Sequence, residues 1–279
     1  MRMRLSYILG AFVLWGALAS YAKEPEHDGK KLSFWIKEFR QPGNPETRLQ
    51  AQKAIRQIGT NALPFLLDEM MDLGDAWRSD LTNFVNSPNS WDRLMNVRAG
   101  VEALGGVAEP AFQTWANLIR SNSLYADVAA YALTQIDPQQ AAPILSEQIQ
   151  KNTNNFTRFA AINNLFYVGT NAVVAVPSLM SCLDEKGDSQ EAWQFRRLAV
   201  GALGNMKQCS DTVVPRLAEV LRADESWPVR AKAAKTLATF TNAALPALPT
   251  LRLAATNDAN ERVRKAAATA IKTIESATK

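Results

Sequence analysis

The sequence predicts an all-α protein: an α-solenoid of about seven stacked helix pairs with no sheet. Three observations predict it. A Leu-like residue recurs as Ile55, Leu104, Leu133, Leu165, Leu203, Leu237 and Ile271, spaced by 49, 29, 32, 38, 34 and 34 residues. Four positions before each stands a small residue: Ala51, Gly100, Ala129, Ala161, Ala199, Ala233 and Ala267. No stretch alternates polar and apolar residues in the manner of a half-buried strand. Self-similarity at a near-constant period means a stack of repeated units, each burying its apolar face against the next.

Composition agrees. The chain has 279 residues, of which 47% are hydrophobic, enough for a large core. Two cysteines exclude a disulfide scaffold. The single histidine, His27, excludes a multi-histidine metal site and a histidine triad elsewhere in the chain.

The elements follow in order. Residues 1–22 read as a secretory leader: Arg2 and Arg4, then an uncharged run from Leu5 to Ala22 ending in Ser20-Tyr21-Ala22. An uncleaved membrane anchor over residues 5–22 is the alternative, because the run nears the length of a spanning helix. Both place the rest of the chain outside the cytoplasm. Loss of Arg2 and Arg4 lowers the formal charge from +4 to +2. Residues 23–30, charged and with a Pro and a Gly, read as a linker. Residues 31–279 read as one repeat domain, with an insertion near 74–92 whose Trp77, Phe84 and Trp91 pack on an end of the stack.

Within each unit, offsets of −8, −4, 0 and +3 from the anchor fall on one stripe of a helix. The +3 positions are apolar throughout: Ile58, Val107, Ile136, Val168, Met206, Phe240 and Ile274. A second helix follows each anchor helix, opened by Pro and continued by Leu. Pro177, Pro215 and Pro249 each lie 12 residues after an anchor. Proline is tolerated in a first turn, where N–H groups lack intrahelical partners.

These features resemble HEAT repeats, including the short phycobilisome-lyase type. The runs Val229-Arg230-Ala-Lys-Ala-Ala and Val263-Arg264-Lys-Ala-Ala-Ala carry the likeness over about residues 31–279. Leu32-Ser-Phe-Trp35-Ile and Ile58-Gly-Thr-Asn-Ala are similar to exported bacterial HEAT-repeat proteins of unassigned role. The resemblance implies a ladder in which Arg158, Arg196, Arg230 and Arg264, with Asp224 and Asp258, tie neighbouring repeats together; Arg48 shares the offset. A phosphate-binding ladder is the competing reading of the same residues.

In such folds, offsets −5, −2 and +2 line the groove. That face is small and polar, with Gln135, Asn163, Lys232 and Lys235 around Tyr131 and Tyr167. Tyrosine is enriched at interfaces, so the expected occupant is a protein or peptide. The same offsets supply three cations and one anion, too few for a phosphate backbone, so no nucleic acid is expected. Trp193 and Trp227, equivalent in their repeats, either seal the core or form an aromatic strip for a glycan. Asp68, Glu69, Asp72 and Asp75 read as a solvated acidic face. Aligned on the prolines, Cys182 and Cys209 lie roughly 16 Å apart along the axis at ~1.5 Å per residue. A disulfide needs Cα atoms within about 7 Å, so two buried free thiols are expected.

The composite expectation is a monomeric, non-catalytic exported scaffold with no cofactor and no metal. Alternatives are a lyase-like enzyme of the short-repeat family and a glycan- or nucleic-acid-binding module.

Overall fold

The computed structural model describes residues 23–79, 88–121, 125–187 and 189–277. The chain divides into two compact units, residues 1–137 and 138–279.

The first unit begins where a linker was expected, and the structure corrects that expectation. Strands β1 (Glu26–His27) and β2 (Lys30–Lys31) pair antiparallel, Glu26 opposite Lys31 and His27 opposite Lys30. The turn between them is Asp28-Gly29, both at positive φ (50° and 69°). Asp-Gly suits such a two-residue hairpin. This ladder is also the exception to an otherwise sheet-free fold among the described residues. The hairpin serves helix α1 (Leu32–Arg40). Leu32 and Ser33 donate their N–H groups to Pro25 O (2.9 Å) and Glu24 Oε1 (2.6 Å), satisfying the helix start.

Four more helices complete the described anchor and proline elements of this unit up to α5: α2 (Pro45–Ile58), α3 (Ala62–Ser79), α4 (Pro88–Leu104) and α5 (Phe112–Arg120). Helix α6 (Ala126–Ile136) closes it. Helices α2, α4 and α6 carry the anchors, and α4 packs on both of the others and on α1. The expected insertion at 74–92 is partly the end of α3 and the start of α4. Trp77 and Phe84 lie outside the residues whose side chains are described. Trp91 remains 48% exposed, contrary to its expected packing role.

The second unit is the more regular. Helices α8 (Asn155–Val168), α10 (Gln190–Leu203), α12 (Trp227–Ala238) and α14 (Glu261–Ala277) carry the anchors and pack side by side in that order. Helices α7 (Pro138–Lys151), α9 (Val176–Cys182), α11 (Ser210–Ala223) and α13 (Leu248–Asn257) form the second row, each against an anchor helix. Pro177 and Pro249 occupy first turns as expected, whereas Pro215 and Pro143 sit inside their helices. Asn154 caps α8 through the N–H groups of Phe156 and Thr157.

The anchor stripe is the core. Leu104, Leu133, Leu165, Leu203 and Leu237 are fully buried, as are Ala129, Ala161, Ala199 and Ala233 four positions earlier. Two positions depart from the pattern. Ile271 is only half-buried in the last described helix, where Ala270 and Ile274 take the core. Val107 is 37% exposed, because α4 ends at Leu104 and the offset falls in a 3₁₀ turn. Three repeats hold a positive φ at the fourth position after the anchor. Gly59 and Gly169 hold φ of 64° and 61°, and Thr241, at the same offset, holds 48°. A β-branched residue there is strained, which makes Thr241 the exception among equivalents.

The span Asn155–Cys182, which includes α8, is long and apolar enough to cross a membrane by composition, with mean hydropathy 1.5. Here 44% of that window is buried within the unit, as a core segment.

Candidate functional site

The anchor-helix row of the second unit presents two sets of charge, and the structure treats them differently.

The first set is the ladder at the helix starts. Asp224 and Asp258 follow the ends of α11 and α13 in extended conformation. Each turns a carboxylate oxygen onto the N–H two residues on, Ser226 and Asn260, at 2.8 Å. Each also receives the guanidinium of the preceding repeat as a fork. Arg196 Nε and Nη2 donate to Asp224 at 2.7 and 3.0 Å, and Arg230 donates to Asp258 at the same two distances. The third nitrogen is spoken for as well: Arg230 Nη1 donates to Asp224 O and Glu225 O, and Arg264 Nη1 to Asp258 O and Ala259 O. Arg158 reaches Glu185, and its guanidinium lies over the Phe195 ring, which stacks on Phe159 at 4.0 Å. The side chains of Arg196 and Asp224 are each 5% exposed. The Arg230 hydrogen bonds hold the Asp258 carboxyl below its ordinary value, against the opposing effect of partial burial. The forks of Arg196 and Arg230, so committed, are not open to a phosphate.

The second set lies on the open face of the same row. Arg197, Lys232 and Lys235 reach no carboxylate among the described residues. The Lys232 stem lies on Gly201, where an added Cβ would come within 2.9 Å of its Cε. Partial burial lowers the Lys232 ammonium below its ordinary value, and Arg197 and Lys235 push it further the same way. Lys207 sits over the Phe240 ring at 4.1 Å and donates to Thr239. At the end of α8, Phe166 and Tyr167 are 46% and 56% exposed, their rings edge to face. Asn205 donates to Phe166 O at 2.8 Å and ties that end to the turn after α10.

The expected groove residues therefore separate. Asn163, Tyr167, Lys232 and Lys235 share the second unit, where Asn163, Tyr167 and Lys235 are exposed and Lys232 is half-buried. Tyr131 and Gln135 belong to α6 in the first unit. There Tyr131 is only half-buried and already engaged. Its hydroxyl donates to Glu102 Oε2 at 2.9 Å, Glu102 also takes Arg48 at 2.7 Å, and Arg98 covers the ring at 4.0 Å while pairing with Asp127. Tyr131 is thus less open than its offset predicts, because cross-helix partners engage both its ring and its hydroxyl. Arg197, Lys207 and Phe166 were missed by the offset rule, since they stand at −6, +4 and +1 rather than −5, −2 and +2.

The remaining candidates are less suggestive. Trp193 and Trp227 stand half-buried near the starts of α10 and α12, and Arg262 of the next anchor helix covers the Trp227 ring at 5.1 Å. Glu69 pairs with Arg93, Asp68 is exposed, and the side chains of Asp72 and Asp75 lie outside the described residues. Among the described residues no three His, Cys, Asp or Glu side chains converge as metal ligands would. Cys182 and Cys209 are free thiols. Only Cys182 is buried, and burial with nearby Glu185 pushes it up to about 12 against the pull of Arg158; Cys209 is half-exposed rather than buried.

Residues 176–272 match the family model described as HEAT repeats. No curated protein shows a significant match. The match lies wholly in the second unit and spans the Arg196–Asp224 and Arg230–Asp258 forks. Together with helices packed in neighbouring pairs, it fits an α-solenoid, a helical-repeat scaffold of the kind suited to protein interaction.

Proposed function

We propose that this chain is an exported, non-catalytic scaffold that binds a protein or peptide on the open face of the anchor helices in its second unit. One observation carries the reading. Arg196 and Arg230 are paired within the repeat architecture, yet the same row keeps exposed Phe166 and Tyr167 at the end of α8 and, on α12, a half-buried Lys232 that reaches no carboxylate among the described residues. Exposed aromatics beside unneutralised charge are features of contact surfaces. The chain's only histidine, His27, belongs to the hairpin, where its carbonyl accepts the Trp35 indole N–H at 3.2 Å. Export rests on the leader-like residues 1–22, and any membrane attachment would run through that segment left uncut. The scaffold is proposed to act as a monomer, without a cofactor.

The test is a crosslinking pull-down of the tagged chain from the envelope fraction of its own cells, with a photoreactive group at Asn163. A dominant protein partner, lost on Tyr167→Ala, is expected. Retention of the same partner by that variant would remove the proposed face. An intact N-terminus in a soluble cytoplasmic fraction would remove export.

A further inference from the structure

The charge on this face has a distribution that specifies the partner's chemistry. Of the two anchor helices, α12 contributes no acidic residue and α10 only Glu191 in its first turn, whose carboxylate accepts from the Asn155 amide at 3.0 Å; between Ala192 and Ala238 the acids Asp211, Glu219, Asp224 and Glu225 belong to α11 or the loop after it. Glu219 pairs with Arg216 and Asp224 with Arg196. Burial lowers the Lys232 ammonium below its ordinary value, and the cations Arg197 and Lys235 add to that effect. The stem of Lys232 is also held in place, since it fills the space that Gly201 leaves. A desolvated ammonium with like-charged neighbours raises the free energy of the unoccupied protein. A carboxylate placed among them would reverse that term, since charge complementarity fixes register and excludes like-charged partners.

Resting on the proposed function, we infer that the partner is an acidic protein segment. Its carboxylates meet Arg197, Lys232 and Lys235, and its apolar side chains lie on Phe166 and Tyr167. The extent of the charge favours a short protein segment over a nucleic acid. The cations Arg197, Lys207, Lys232 and Lys235 lie on α10, α12 and the turn after α10; at the matching offsets α14 carries Lys265, which pairs with Glu261, a single further cation Lys272, and Thr269 and Thr273, and α8 carries Asn163. A phosphate backbone draws its affinity from a continued row of neutralising contacts. The apolar surface at the end of α8 suits the alternating acidic and apolar side chains of a peptide.

The experiment titrates the whole chain against three fluorescent probes: a synthetic peptide alternating Glu with Phe or Leu, its isostere with Gln for every Glu, and a single-stranded oligonucleotide of equal charge. The Glu peptide should bind at least about tenfold tighter than the Gln peptide, and weaken as salt rises. Lys232→Gln with Lys235→Gln should remove that advantage while leaving the weaker binding of the Gln peptide unchanged. Lys235→Gln alone, at an exposed position, serves if the double variant folds poorly. Equal binding of the two peptides, lost together on Tyr167→Ala, would overturn the acidic partner and leave the peptide-binding face standing. Tighter binding of the oligonucleotide would overturn both in favour of nucleic acid. Binding of none would overturn the inference, and the envelope pull-down would then judge the face by itself.

Discussion

The two units use the same helix stripe and handle charge in opposite ways. Residues 23–137 carry a net −3, and residues 138–279 a net +5. In the first unit the arginines reach varied partners: Arg40 takes Asp92, Arg48 takes Glu102, Arg93 takes Glu69 and Arg98 takes Asp127. In the second, one fork is repeated with the same distances, and a separate group of cations on the open face reaches no carboxylate. Regular spacing explains the first contrast, because a 34-residue period places equivalent side chains at equivalent separations. The open-face cations reach no such carboxylate, and the acidic partner proposed above is what would pair them.

The largest expected effect sharpens this comparison. Arg196→Ala leaves the Asp224 carboxylate buried and unpaired, and should cost about 3 kcal/mol in urea unfolding. Arg48→Ala in the first unit, where the guanidinium is half-exposed, should cost less than about 1 kcal/mol. Similar costs for the two would break the distinction between a structural ladder and scattered surface pairs.

A smaller contrast lies at the shared positive-φ position. Thr241→Gly should stabilise the chain by about 1 kcal/mol through relief of a left-handed β-branched residue, and Gly59→Thr should destabilise it by a similar amount. Thermal midpoints moving in opposite directions would show the two turns to be equivalent across the units.

The two charge sets should also respond to pH in separate windows, with stability rising with pH in each. Asp258 is held below its ordinary 3.8 by Arg230, so its contribution is complete above that value and is lost as pH falls through the folded value. Arg230→Ala should flatten the acid limb of a stability–pH profile. Lys232 is held below its ordinary 10.5, so in the window beneath that value the unfolded chain binds more protons and stability rises with pH. Arg230→Ala leaves that alkaline limb intact, whereas Lys232→Gln should reduce it, with Lys207, also lowered by burial, keeping the remainder.

The smallest effect is Lys232→Gln at neutral pH. It should raise stability by a few tenths of a kcal/mol, since the ammonium is half-buried and solvent screens much of the repulsion. Added salt should narrow the difference. A loss of stability would mean that the cations support the fold and are not held against a cost for binding.

Much of this was legible in the chain. The small residue at −4 and the apolar residue at +3 identified the buried stripe, because a helix's face follows from local spacing alone. The Arg–Asp ladder was legible from its resemblance to HEAT repeats, with both carboxylates standing six residues before the next repeat's Arg. The hairpin was overlooked although Asp28-Gly29 is a strong turn signal, since two-residue strands show no alternation to read. The candidate site was half legible. Fixed offsets found Tyr167, Lys232 and Lys235, and passed over Arg197 and Phe166 one position away, where long side chains still reach the open face.

The sequence by itself determined the helical repeat, its buried stripe and the residues available for the ladder. These depend on periodicity within a helix and on separations that recur between repeats. Only the tertiary structure decided that Tyr131 is occupied by Glu102 and Arg98 while Lys232, its stem on Gly201, reaches no carboxylate among the described residues. Those outcomes depend on which side chains of neighbouring helices come level, 29 to 33 residues apart for Tyr131 and 35 for Arg197 with Lys232. A slip of one position turns a helical side chain by roughly 100°, enough to convert a partner into a bystander.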